Sequence, residues 1–210
     1  MEPDTSQQPK EIRQLQQEPP KQKTKERETF QTVVIGTNGT GKTTIIKKIV
    51  IAALKAGQRV LVVTPDFAEW LTLPEIHERY RSRIEWYKGG RRMIYQEGDL
   101  KLINDHFRNG LIVFDDCRSY LDARTSKEIH NLVIRRRQFM VDLIFVAHGF
   151  TEIPPKFFTF ASQFIIFKTR DSIDIRKKEL GSDFENIKQV VNTVNAEAVK
   201  DKHFYKIVKR

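Results

Sequence analysis

The sequence predicts an α/β protein whose mainly parallel sheet is flanked by helices on both faces. Three observations predict it. Short apolar runs of strand type alternate with segments whose apolar residues recur at helical spacing. A glycine-rich loop joins the first such run to the first helical segment. A later run, Leu111–Phe114, ends abruptly in two acids, Asp115 and Asp116.

The 210 residues divide near position 30. Residues 1–29 are rich in Gln, Glu, Lys and Pro and contain no aromatic residue, so they cannot bury enough apolar area to offset their ordering entropy. They are expected to form a disordered tail. Residues 30–210 are expected to form a single domain, large enough to bury a core without disulfides or metal. Within it, Thr32–Ile35 reads as a buried strand and Gly36–Gly41 as a loop. Ile45, Ile46, Ile49, Val50, Ala53 and Leu54 then mark a helix that Gly57 stops. Val60–Val63 and Leu111–Phe114 are the next legible strands, and the stretch between about Pro74 and Gly110 carries no clear pattern. Thr125 or Ser126 is placed to cap a helix with the stripe Ile129, Leu132, Val133 and Met140. Leu143–Ala147 and Phe164–Phe167 follow as strands. Phe184, Ile187, Val190, Val191 and Val194 mark a late helix, and Phe204–Val208 an edge strand.

Charge narrows the class of partner. The formal net charge is +10. The tail holds six residues of each sign, leaving 31 cationic against 21 anionic residues in the rest. Such an excess on one domain favours a polyanion such as nucleic acid, although cations also serve solubility alone. The lone Cys117 makes an internal disulfide impossible and points to a reducing interior, with the thiol read as a small core residue. No apolar run approaches the ~18 residues of a membrane span, and the N-terminus lacks the apolar stretch of a signal peptide. A cytoplasmic location without a transmembrane segment is expected.

The chemistry concentrates in three places. Gly36-Thr37-Asn38-Gly39-Thr40-Gly41-Lys42-Thr43, with Thr44 behind it, is a phosphate-binding P-loop. Its glycines let backbone N–H groups converge on phosphate oxygens, and the helix N-terminus adds its dipole. Lys42 reaches the β- and γ-phosphates and the Thr43 hydroxyl binds Mg²⁺. Asp115, at the end of its strand, offers a hard oxygen ligand to the same Mg²⁺, and Asp116 is placed to polarise an attacking water. His148 follows the buried strand Leu143–Ala147, at the end where α/β proteins place ligands, and is a candidate to meet the γ-phosphate or the water. Arg135, Arg136 and Arg137 end the helix before it. Spacing puts Arg136 on the buried stripe and leaves Arg135 and Arg137 facing outward, either as cations favoured at a helix C-terminus or as groups offered to a neighbouring subunit's phosphate.

This order of elements resembles the FtsK/HerA superfamily of DNA-pumping P-loop ATPases, which have the RecA-like (ASCE) fold. The resemblance rests on the P-loop, on Arg59–Asp66, on the paired acids, and on Arg137-Gln138 leading through Asp142–Ala147 to His148. Phe164–Asp171 with Ile175-Arg176, and the last strand, are most similar to the small genome-packaging ATPases of tailless, membrane-containing viruses. The resemblance spans roughly residues 30–210. It implies that the Leu143–Ala147 strand is inserted between the P-loop strand and the Asp115 strand, with His148 beside the γ-phosphate. It also implies an ATP- and Mg²⁺-dependent motor working as a ring, usually a hexamer, around double-stranded DNA, with capsid or membrane vertex proteins as further partners and the host cytoplasm or virion as its place of work. Arg137 corresponds to the arginine preceding the sensor strand. Two departures stand out: Asp116 replaces the usual Glu and His148 the usual Gln. Asp66 and Glu69 match acids that related ATPases often carry near the nucleotide.

The leading expectation is a DNA translocase that packages a viral genome. A DNA-transfer or phage-assembly ATPase uses the same parts. A small-molecule kinase or a nucleotide-binding regulator without turnover are the alternatives of a different class. For DNA, the dense basic run Arg79, Arg81, Arg83, Lys88, Arg91 and Arg92, and Lys156 among Phe150, Phe157, Phe158 and Phe160, are the candidate contacts. A solvated basic face and ordinary core packing are the bland readings of the two.

Overall fold

In the computed structural model the described residues are 28–85, 87–121 and 126–210. The expected tail and a cap at Thr125 therefore lie almost wholly outside them. From Thr29, already buried, the chain enters strand β1 (Gln31–Ile35) and, after the P-loop, helix α1 (Lys42–Lys55). There follow β2 (Arg59–Thr64), β3 (Gly90–Ile94), α2 (Asp99–His106), β4 (Gly110–Phe114) and α3 (Ser126–Phe139). The chain closes with β5 (Val141–Ala147), the short α4 (Pro155–Phe160), β6 (Gln163–Ile166), α5 (Phe184–Glu197) and β7 (Lys206–Lys209).

The seven strands form one sheet in the order β3-β2-β4-β5-β1-β6-β7, parallel except for β7, which pairs antiparallel with β6. β5 lies between β1 and β4, as the resemblance implies. The central strands are buried along their whole length, which is why they read as unbroken apolar runs. Alternate side chains feed two separate cores. Val34, Val62, Val113, Ile144 and Val146 pack with Ile46 and Val50 of α1 and with Trp70. Val33, Leu61, Ile112, Phe145 and Phe164 pack on the opposite face with residues of α2, α3, α4 and α5. Helix α1 thus has one face of the sheet largely to itself, and its N-terminus reaches the edge where β1, β2, β4 and β5 all end.

Two elements, β3 and α2, sit inside the stretch without a legible pattern. Their position changes the reading of the basic run. Arg81 is ion-paired with the buried Asp99 and donates to the carbonyl of Ile94 at 2.7 Å. Arg92 pairs with Glu75 at 2.9 Å and donates to the carbonyls of Phe67 and Glu69, each at 2.8 Å. Arg91 lies over the Tyr87 ring. Arg81 and Arg92 are struts that hold loops to the sheet, so the run is not one free basic face. Arg79 and Lys88 remain exposed, and the side chain of Arg83 lies outside the described residues. Phe150, Phe157 and Phe158 are core residues and Phe160 packs half-buried against them, so of that cluster Lys156 is the fully exposed member and those three aromatics line no channel. Cys117 is buried, as expected, with its thiol against the carbonyl of Phe114 at 3.1 Å. Among the described residues no helix is long and apolar enough to cross a membrane.

Candidate active site

The P-loop is held open by backbone geometry that only glycine fits. A Cβ on Gly36 would stand 2.4 Å from Cβ of Phe167, and Gly41 opens α1 with φ at 98°. The loop is pinned to the end of β6, where the amide of Thr37 donates to the carbonyl of Lys168 at 2.8 Å. Thr40 braces it from within, its hydroxyl donating to the Thr37 carbonyl at 2.8 Å. No side chain caps α1, so its first amides face the cleft as an anion site.

That cleft encloses about 630 Å³ and brings together Asn38, Gly39, Gly41, Lys42, Thr43 and Thr44 with Asp115, Asp116 and His148. Thr64, Asp66, Glu69, Arg118 and His203 complete its walls. Gly36, Thr37 and Thr40 shape the loop beneath. Parallel packing explains the convergence: four strands end together, and each hands its next residue to the same crevice.

Lys42 is buried and spends all three ammonium protons: on the carbonyls of Gly36 at 2.5 Å and Thr37 at 3.1 Å, and on His148 Nδ1 at 3.2 Å. Burial pushes its pKa down, against the pull of Asp115, Glu152 and Asp116. Because Nδ1 faces a donor, the neutral His148 ring carries its proton on Nε2, which lies 3.4 Å from Asp116 Oδ1. Lys42, His148 and Asp116 therefore form one line across the cleft. Asp116 sits in the left-handed region, φ 47°, and accepts from the Ser119 hydroxyl at 3.1 Å, with Arg118 Nε 3.7 Å away. Asp115 is buried, which pushes its pKa up against the lowering effect of an indole N–H from Trp70 at 2.7 Å.

Six contributing residues carried no signal in the sequence. Trp70 is one. Glu152 accepts from the amide of His148 at 2.7 Å and from Arg118 at 3.4 Å, fixing the turn that carries the imidazole. Arg118 and Arg170 flank a side cavity beside Thr37, Asn38 and His148. His203 and Tyr205, from the segment before β7, line a further cavity of about 270 Å³ that shares Gly41, Thr44 and His203 with the main cleft. Trp70, Arg170, His203 and Tyr205 meet the site through space, far from the motifs in sequence, whereas Arg118 and Glu152 follow Asp116 and His148 closely in the chain.

Arg137 is exposed at the far end of α3, and Arg136 is half-buried with its guanidinium on the Val133 carbonyl at 3.1 Å. The seven residues of β5 separate Arg137 from His148, roughly 20 Å of strand, so Arg137 does not reach its own cleft.

The strand order, with the His148 strand inserted between the P-loop strand and the Asp115 strand, is the one the resemblance implies. The fold is that of a P-loop NTPase. The profile of the type IV secretion-system coupling protein DNA-binding domain matches residues 22–68, which contain the P-loop. The genome packaging NTPase B204 from Sulfolobus turreted icosahedral virus 2, in complex with AMP, is similar over 86% of this chain and 92% of its own, at 14% identity and a TM-score of 0.69. Its complex with AMPPCP aligns over 86% and 97%, at 17% identity and a TM-score of 0.61. The pCW3 conjugation coupling protein TcpA, with ATPγS, aligns over 77% of this chain and 54% of its own, at 14% identity and a TM-score of 0.50. No curated protein sequence matches the chain.

The donor set fits a magnesium–nucleotide complex. Thr43 and Asp115 both line the cleft and supply hard oxygen, the donor type that Mg²⁺ takes when substrate phosphates provide the remaining ligands.

Proposed function

We propose that this chain is an ATP-driven DNA translocase that packages a viral genome, acting as a ring with DNA in its channel. The observation that carries it is the line Lys42–His148–Asp116 set across a P-loop cleft in an FtsK/HerA-type sheet. Residues 30–210 form the motor domain in this reading and 1–29 a tail outside it. Lys42 and the amides of the P-loop bind the triphosphate, and the cavity at His203 and Tyr205 takes the base side of the nucleotide. Thr43 and Asp115 hold Mg²⁺, which when bound neutralises charge on the phosphates. Asp116 orients water and accepts its proton, while the Nε2–H of His148 steadies that carboxylate. Arg137, out of reach of its own cleft, serves a neighbour's. Arg79 and Lys88 of the basic run, together with Lys156, are the exposed DNA contacts, with capsid or membrane vertex proteins as docking partners and the host cytoplasm or virion as the site of action.

The reading is tested with purified protein. It should hydrolyse ATP with Mg²⁺ and without any phosphoacceptor, duplex DNA should raise the rate, and Lys42→Ala should abolish it. DNA binding should be largely sequence-independent and weaken steeply with salt, because phosphate contacts release counterions. Salt-insensitive binding, or none at low salt, would refute translocation. The coupling-protein profile over residues 22–68 favours a second reading, DNA transfer between cells. Dependence of the activity on a capsid shell, rather than on a membrane pore, separates the two.

A further inference from the structure

Trp70 is the most unusual residue near the cleft. It is a bulky side chain with φ at 58°, a region such residues rarely occupy, and it is 98% shielded from solvent. The loop around it is tied down from three sides. Arg92 holds the carbonyls of Phe67 and Glu69, Asp66 accepts from the amide of Ala68 at 2.7 Å, and the amide of Leu73 donates to the Trp70 carbonyl at 2.9 Å. The indole lies within the α1-side core, with the Lys47 ammonium 5.6 Å from its ring centre. From there its N–H donates to Oδ2 of Asp115, while Oδ1 of the same carboxylate accepts from the Asp116 amide at 3.2 Å. One donor on each oxygen fixes the plane of the carboxylate. Backbone strain that persists beside a cleft is a mark of function, since the surroundings must be built to maintain it.

We infer that Trp70 is a positioning residue for the metal-binding carboxylate: its indole N–H locks Asp115 in the orientation that takes Mg²⁺ with bound nucleotide. The inference rests on the ATPase reading above. A buried indole satisfied by any carbonyl would serve packing alone. Here it is satisfied by the acid whose orientation matters, and by way of a strained backbone.

The test uses full-length protein and Trp70→Phe, which keeps an aromatic ring and removes the N–H. Partners of this kind around a metal ligand are worth 10–100-fold in metal affinity. The MgCl₂ concentration for half-maximal ATP hydrolysis should therefore rise by about 10–100-fold, while affinity for AMPPCP in EDTA stays at the wild-type value. An unchanged Mg²⁺ requirement in folded Trp70→Phe protein overturns the inference. Where that variant does not fold, Trp86→Phe protein decides, because Trp70 is then the chain's one remaining indole. Its emission should shift saturably as MgCl₂ is added to the AMPPCP complex and should not respond when Asp115→Ala is added. Emission indifferent to Mg²⁺ in protein that binds AMPPCP overturns the role of Trp70 alone. Failure to bind AMPPCP at all brings down the nucleotide reading, and the inference with it.

Discussion

Replacing His148 tests the proposed chemistry most directly. The Lys42 ammonium has three acceptors and three protons, and the one acceptor contributed by a side chain is Nδ1 of His148. On the other side of the ring Nε2 faces Asp116 at 3.4 Å. His148→Leu removes both interactions at once. Lys42 keeps two carbonyls and is freer to turn toward a phosphate, so nucleotide affinity should hold or improve. Asp116 keeps Ser119 and Arg118 but loses the Nε2 contact at 3.4 Å, which is an electrostatic contact and not a formed hydrogen bond. If turnover closes that gap into a hydrogen bond to the charged carboxylate, worth about 1.5–3 kcal/mol, kcat should fall roughly 10- to 150-fold. His148→Gln supplies an amide oxygen for Lys42 and an amide N–H for Asp116, and should stay within about tenfold of wild type. The assay is steady-state phosphate release at saturating Mg²⁺ and DNA, with nucleotide affinity measured separately by AMPPCP binding. Wild-type kcat in His148→Leu would refute the relay. So would a His148→Gln protein as slow as His148→Leu.

Asp115→Asn should lose Mg²⁺-dependent turnover, and it leaves one of the two N–H groups on that carboxylate without an acceptor. Burial raises the pKa of the wild-type carboxyl, so the folded wild type bears the cost of its charge above that raised pKa and is relieved of it as pH falls through it toward the ordinary carboxylate value. The Tm of Asp115→Asn relative to wild type should therefore fall as pH drops from neutral into acid, by about 2–4 °C per kcal/mol for a chain of this size; a difference in Tm that does not change with pH would contradict it. Arg137→Ala should bind AMPPCP normally and turn over about 10³–10⁵-fold more slowly. Mixing it with Lys42→Ala protein should restore activity through interfaces that pair an intact loop with an intact arginine. A mixture that stays inactive although mixed rings form removes Arg137 from that role, and Arg135→Ala is the control.

What the sequence made legible follows from burial. β1, β4 and β5 are covered on both faces, so each reads as an apolar run, and the P-loop is local enough to be read residue by residue. β3 has one neighbour and carries Arg91 and Arg92 within its five residues, which erases the apolar signal of a strand. Its Gly90 is packed under Leu73 and Leu54, where a Cβ would push the Leu73 methyl aside at 2.9 Å, and nothing local announces that. Of the site, Lys42, Thr43, Asp115, Asp116 and His148 follow strand ends and were legible for that reason. Trp70 lies 45 residues from its partner Asp115, and His203 meets Gly41 across the whole length of the fold. Contacts of that kind leave no periodicity or motif behind. The basic run failed for the converse reason: sequence counts charges, but folding spent Arg81 and Arg92 on internal acids and carbonyls.

The two outermost strands set limits on how copies of this chain can associate. Beyond β3, the segment Pro74–Ile76 already occupies the free edge, with the amide of Ile76 on the Arg92 carbonyl at 2.8 Å and the amide of Arg92 on the Pro74 carbonyl at 3.0 Å. At the other border β7 is four residues long, with Lys206 and Lys209 exposed and Val208 its one buried side chain. A capped border and a short lysine-bearing one both discourage strand-to-strand addition. In the proposed ring, neighbouring subunits would thereby be denied a continuous sheet running from one to the next and would meet through side chains and loops. Joints of that kind would let each subunit tilt against the next during turnover without tearing a ladder of backbone hydrogen bonds.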